Sequence, residues 1–192
     1  MADDLGVQPN EVYGLTEAVL AFWFDEVPAA KRFAKDAALD ATIKARFAGL
    51  LETLVRTDAS GWRGDPRSLL AAVIVLDQFS RNIHRGQAQA FAADPLALSL
   101  TRHAIAQGWD TGMTATERQF LYLPMMHAED AATQQESLAF FATLNDDHIF
   151  GFAKDHAEVI DRFGRFPARN AALGRVSTPG EEDYLSQPGA GW

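Results

Sequence analysis

Between Asp65-Pro66 and Asp77 lies Leu69-Leu-Ala-Ala-Val-Ile-Val-Leu76, eight consecutive apolar residues. Asp before Pro is a helix-start signal, with the aspartate as cap and the proline at the first helical position. Read as a helix running to about Phe79, the block is apolar on every face for two turns. A helix with no face to offer water must be central and covered on several sides. The block is too short to cross a membrane, which takes about 20 apolar residues.

The rest of the chain supplies helices to cover it. Leu15, Val19, Phe22 and Trp23 recur at helical spacing, with Thr16 as a candidate N-cap. Val27-Pro28 ends that helix, because the residue before proline resists the α region. Leu39, Ile43, Phe47, Leu50 and Leu54 form a clean 3.6-residue stripe. Asp94-Pro95 repeats the start signal for a helix running to Gln107-Gly108. Thr114 with Glu117 reads as a capping box, and Pro124 predicts a break or kink. Asp130 to Leu144 is helical, and Ile149, Phe152, His156, Ile160 and Phe163 make another stripe. Thr178-Pro179 opens a last short helix through Leu185.

No segment alternates like a strand, and the linkers are short, which favours antiparallel neighbours. The expected fold is all-α, with antiparallel helical hairpins packed in an array of about eight or nine helices. One domain over residues 11–186 is expected, with residues 1–10 and 187–192 as loose termini.

Charge and composition narrow the function. A formal net charge of −9 opposes broad nucleic-acid binding, since phosphate repels an acidic protein. The absence of cysteine removes disulfides, thiolate metal sites and a thiol nucleophile. Met1 to Asn10 lacks the basic start and apolar core of a signal peptide, so a soluble, cytoplasmic protein is expected. Within the 17 cations there is an asymmetry, 13 Arg against 4 Lys. Arg162, Arg165, Arg169 and Arg175 cluster, and Arg81 pairs with Arg85. Arginine suits fixed two-point contacts with carboxylate or phosphate.

Polar residues on apolar stripes are the informative anomalies, because a buried charge needs a partner. Asp77 and Gln78 follow directly on the apolar block. Asp77 and Arg81 stand at i, i+4, the spacing of a simple intrahelical pair. His127 falls on the inward stripe of Phe120, Leu123 and Ala131, and i, i+3 spacing puts Asp130 on its face. His156 replaces an apolar residue in its own stripe. Gly164 and Pro167 turn the chain, leaving Arg165 and Arg169 on a corner anchored by Phe163 and Phe166. Those arginines either cap carbonyls and pair with Asp77 or Asp130, or form an anion-recognition corner. The dense spacings of a zinc protease, a Walker loop, a dinucleotide fingerprint or a nucleophile elbow are all missing. Neither metal nor cofactor is expected.

Several longer stretches resemble a known family. They are Ala21-Phe-Trp-Phe24, Leu76-Asp-Gln-Phe-Ser-Arg-Asn-Ile-His-Arg-Gly86, Ala90-Phe-Ala-Ala-Asp94, Phe120-Leu-Tyr-Leu-Pro124, His127-Ala-Glu-Asp130 and Arg162-Phe-Gly-Arg-Phe-Pro167, with Asn170 and Leu173-Gly-Arg175. In this order they are similar to a bacterial domain-of-unknown-function family, number nine hundred and twenty-four, over about residues 15–186. The resemblance implies a tetratricopeptide-like helical fold and no particular activity. Ala128 stands where that family usually has Ser, and Ala168 where it usually has His.

Two functions of different classes follow. One is a ligand- or partner-binding helical protein whose polar site takes an anionic small molecule or peptide. Its candidate binding residues are Arg81, Asn82, Arg85, Arg165, Arg169, Asn170 and Trp23. The other is a small-molecule enzyme, with Asp77, His127 and Asp130 as candidate catalytic groups in acid–base roles. A third, structural reading makes the polar set a network that rigidifies the core.

Overall fold

A computed structural model describes residues 9–191. Eight helices run through them, and no strand occurs among the described residues, as the periodicity predicts. α1 is Pro9–Ala21, prolonged by a π-turn, Phe22–Glu26. α2 is Ala37–Arg56, opened by Asp36, whose side chain accepts from the Ala38 and Leu39 amides. α3 covers 66–83 in three parts: Pro66–Ile74, a π-turn Val75–Phe79, and Ser80–Ile83. α4 is Asp94–Ala106, α5 Ala115–Met126, α6 Ala131–Ala142, α7 Asp147–Phe163 and α8 Pro179–Leu185.

The apolar block dictates this arrangement. Every residue from Leu69 to Leu76 is buried. α3 packs against α1, α2, α4 and α5, so it is the covered helix its composition requires. Each fully buried Leu, Ile or Val there contributes about 1.5–3 kcal/mol over an exposed one. Farther along, α4 packs on α5, α5 on α6 and α6 on α7. A satellite cluster of Val159, Ile160 and Phe166, flanked by Phe163 and Tyr184, anchors the C-terminal corner.

Several local expectations are corrected. Thr16 is not an N-cap: α1 starts earlier, and Thr16 is buried inside it, donating to Ser68 Oγ at 3.0 Å. Pro124 does not break its helix: α5 runs through it to Met126, forgoing only the backbone bond a proline cannot donate to Phe120. Phe152, expected inward, is 41% exposed. Asp94-Pro95 does start α4, but the Asp94 side chain caps nothing. Residues 1–8 and Trp192, expected to be loose, lie outside the described residues, while Pro9 and Asn10 already belong to α1. No helix among the described residues is long and apolar enough to cross a membrane.

Candidate functional site

The π-turn of α3 sets the site. A π-turn widens the helix by one residue and recurs where a helix re-aims side chains at functional positions. Here it carries Asp77 and Gln78 at the end of the apolar block, and Asp77 is only 1% exposed. Its carboxylate is fully engaged. Gln78 Nε2 donates to Oδ2 at 2.6 Å. Arg81 Nη1 lies 3.0 Å from Oδ1 and also donates to the Asp77 carbonyl at 2.8 Å.

The remaining donor to Oδ1 comes from another helix. His127, at the C-terminal end of α5, donates from Nδ1 at 2.7 Å. An ionised carboxylate only accepts, so the proton sits on Nδ1 and Nε2 carries the lone pair. Nε2 makes no hydrogen bond among the described residues. The His127 side chain is 13% exposed, so this nitrogen belongs to a group nearly but not wholly withdrawn from water.

Arg169 completes the cluster from the C-terminal corner. Its guanidinium packs on two rings, Phe91 at 4.8 Å and Phe166 at 4.5 Å. Nη2 donates to the His127 carbonyl at 2.9 Å, so this arginine caps the end of α5. Asp94 joins the two arginines. It takes a two-point contact from Arg81 at 2.8 and 2.9 Å and a longer one from Arg169 at 3.4 Å. His156 on α7 stands beside them, its ring 6.0 Å from that of His127, and its Nδ1 donates to the Phe152 carbonyl at 2.7 Å.

Burial and charge decide the protonation states. Burial pushes His127 below its ordinary 6.5, and Arg81 and Arg169 push it further against the pull of Asp77. His156 is pushed down to about 3, by burial first and then by His127. Burial works to raise Asp77, but Arg81 and His127 outweigh it and hold the carboxyl well below the usual range. Arg169 is pushed down to about 10 by burial and by Arg81. At neutral pH the cluster therefore holds two cations, two carboxylates and two neutral imidazoles.

The other predicted residues go elsewhere. Asn82 and Arg85 both bind Asp40 of α2, at 2.7 Å and at 2.6 and 2.7 Å. Arg165 pairs with Glu181 at 2.6 and 2.8 Å, and Asn170 donates to Ser177 at 3.1 Å, at the foot of α8. Asp130 does not share a helical face with His127, because α5 stops before it. It is the N-cap of α6, and its carboxylate accepts from the Thr133 amide and hydroxyl, both at 2.7 Å. Trp23 is 0% exposed in the main core, edge-on to Phe79 and Phe120, so its ring has no surface to offer a ligand.

Asp40, Asp94 and Glu181 were given no site role in the sequence reading. Asp40, Asp94, Glu129 and Glu181 each engage an arginine, Glu129 taking Arg175 at 2.7 and 2.9 Å. Asp94 had no separable signal, since Asp-Pro at a helix start reads as a cap. A cleft of about 430 Å³ lies on a different face, between α1 and the starts of α3 and α5. Its cations are already occupied: Arg67 pairs with Glu17, and Arg32 binds the Trp23 and Phe24 carbonyls. No histidine lines it.

These helices and this Asp–His–Arg cluster define an all-α protein with one polar centre joining α3, α4, α5 and the C-terminal corner. A family model described as "Bacterial protein of unknown function (DUF924)" matches residues 19–189, and the chain belongs to that family. It is similar to the solved structure of a protein of unknown function, ATU0120, from Agrobacterium tumefaciens. The identity is 38%, the match covers 91% of this chain and 98% of that one, and the TM-score is 0.86. No curated protein matches the chain.

Proposed function

We propose that the protein binds a small anionic molecule where the Asp77–His127 pair meets Arg169. One observation carries this reading: an imidazole fixed through Nδ1 leaves its Nε2 without a hydrogen bond among the described residues, and the guanidinium that caps the same residue's carbonyl holds its carboxylate only at 3.4 Å. Both side chains keep some exposure, 13% for His127 and 9% for Arg169, so neither is wholly sealed from a ligand. The guanidinium supplies the charge for the anion, and Nε2 accepts a hydrogen bond from the rest of the ligand. The successive packing of α4 to α7 supports a tetratricopeptide-like array behind this site.

An enzymatic reading draws on the same hydrogen bond. Asp77 holds His127 in one tautomer, and a neutral imidazole with a free Nε2 is the form a general base needs. In that reading His127 takes the proton and Asp77 positions it. Asp130 has no part in either.

A thermal-shift series with acetate, malonate and inorganic phosphate tests the site. At a hundredfold excess over Kd, a specific ligand adds about 2.7 kcal/mol, or roughly 5–10 °C in Tm for a chain of this size. The shift should vanish in His127→Gln and Arg169→Gln. Equal shifts in wild type and both variants would overturn the proposal, as would no shift with any anion.

A further inference from the structure

The arginine best placed to take a ligand is already touched by a carboxylate of the chain itself. Asp94 opens α4 before a proline, where an aspartate ordinarily turns back to cap the helix amides. Instead its carboxylate faces away to Arg81 and Arg169. The two contacts differ in quality. Arg81 holds both oxygens at 2.8 and 2.9 Å, the length of a strong charge-assisted pair. Arg169 reaches one oxygen at 3.4 Å, and its Nε makes no hydrogen bond among the described residues. Asp94 thus belongs to Arg81 and only fills the space before Arg169.

Charge counting adds a second constraint. Arg81 and Arg169 balance Asp77 and Asp94. A monocarboxylate entering at Arg169 brings one negative charge and replaces only the long contact, leaving the Arg81–Asp94 pair intact. A phosphate dianion brings two charges against both carboxylates in a nearly water-free setting, where repulsion is strong. The rings of Phe91 and Phe166, 4.8 and 4.5 Å from the Arg169 guanidinium, restrict the room for a ligand there and favour a small planar group.

We propose that Asp94 is a built-in placeholder for the carboxylate of a small organic acid at Arg169, and that it sets both the affinity and the preference for singly charged carboxylates over phosphate. This rests on the Asp77–His127–Arg169 cluster being the ligand site. It makes Asp94 a specificity-determining residue, and it narrows the anion to a monocarboxylate end.

NMR titrations of wild type, Asp94→Asn and Arg169→Gln with acetate and with inorganic phosphate separate the two claims. Wild type should take acetate more tightly than phosphate at the Arg169 Nε–H resonance. Asp94→Asn should take acetate at least tenfold more tightly and gain more for phosphate, so the preference collapses. Should Asn disturb the start of α4, Asp94→Ser should still show a larger rise in Tm with acetate than wild type does. If Arg169→Gln abolishes acetate binding but neither Asp94 variant strengthens it, the placeholder idea is wrong and the site stands. If acetate perturbs none of these proteins, both are wrong.

Discussion

His127 is bound to Asp77 through Nδ1 at 2.7 Å, across fifty residues of chain, and that one contact links the end of α5 to the π-turn of α3. It fixes the tautomer and turns Nε2 away from the carboxylate. The imidazole ¹⁵N shifts of His127 at neutral pH should therefore report a proton on Nδ1 and a bare Nε2. The Nε2–H form would contradict the geometry.

Asp77 also helps neutralise Arg81 in a buried setting, so removing it leaves Asp94 as the one carboxylate facing both Arg81 and Arg169. Breaking a buried pair from one side costs about 3–5 kcal/mol. Asp77→Ala should lose about that much stability in urea titrations, and His127→Gln much less, since the Asp77–Arg81 contact survives. Equal losses in the two variants would mean that Arg81 does not depend on Asp77.

The buried histidines set an acid limit. Their folded values lie below 6.5, so the unfolded chain binds protons that the folded one refuses. Stability is full above that value and falls with falling pH, by about 1.4 kcal/mol per unit for each histidine kept neutral. For His156 the loss continues down to about 3. Between roughly pH 6.5 and 5.5 ordinary carboxylates stay more than about nine-tenths ionised, so the slope there belongs mainly to histidine. His156→Gln should flatten it in a series of melts against pH, and an unchanged slope would exclude His156 as its source.

Arg165 tests the boundary of the site. It binds Glu181 and the Val176 carbonyl, tying α8 to the corner below Gly164. Arg165→Ala should lower Tm and loosen amide-exchange protection in α8, yet leave the acetate response unaltered. Loss of that response would extend the site to the foot of α8.

The covered helix makes its own prediction. Leu70 lies at the centre of α3 and is buried. Leu70→Ala should cost about 2–5 kcal/mol in chemical denaturation, the range for truncating a large aliphatic in a packed core. A loss below 1 kcal/mol would mean that α3 is not the centre of the fold.

Much of the helical framework was legible because its signals are local. The Asp65-Pro66 and Thr178-Pro179 starts, the Thr114–Glu117 capping box, and the left-handed glycines Gly108 and Gly164 all mark helix ends within a few residues. The π-turns were not legible, since one begins in a block apolar on every face and the other ends its helix, so no one-sided stripe runs through either to show the change of phase. Pro124 misled for another reason: it forgoes one bond to the preceding turn, and whether a helix bears that loss is set by the packing around it, which the local sequence does not say.

Residue types and spacing alone determined an all-α chain, a central α3, and a short inventory of polar residues to be placed. They picked out Asp77, Arg81, His127 and Arg169, which do meet. They also picked out Asn82, Arg85, Asp130, Arg165, Asn170 and Trp23, which do not join them. Only the tertiary structure decided between the two groups. A helix reports its own periodicity over three or four residues, but an ion pair is chosen between side chains brought together from distant segments. Arg169 finds Asp94 seventy-five residues away, and His127 finds Asp77 at fifty. Which acid each arginine takes depends on how the helices cross, so Asp94, the second carboxylate beside Asp77, emerged only when α3, α4, α5 and the C-terminal corner were packed.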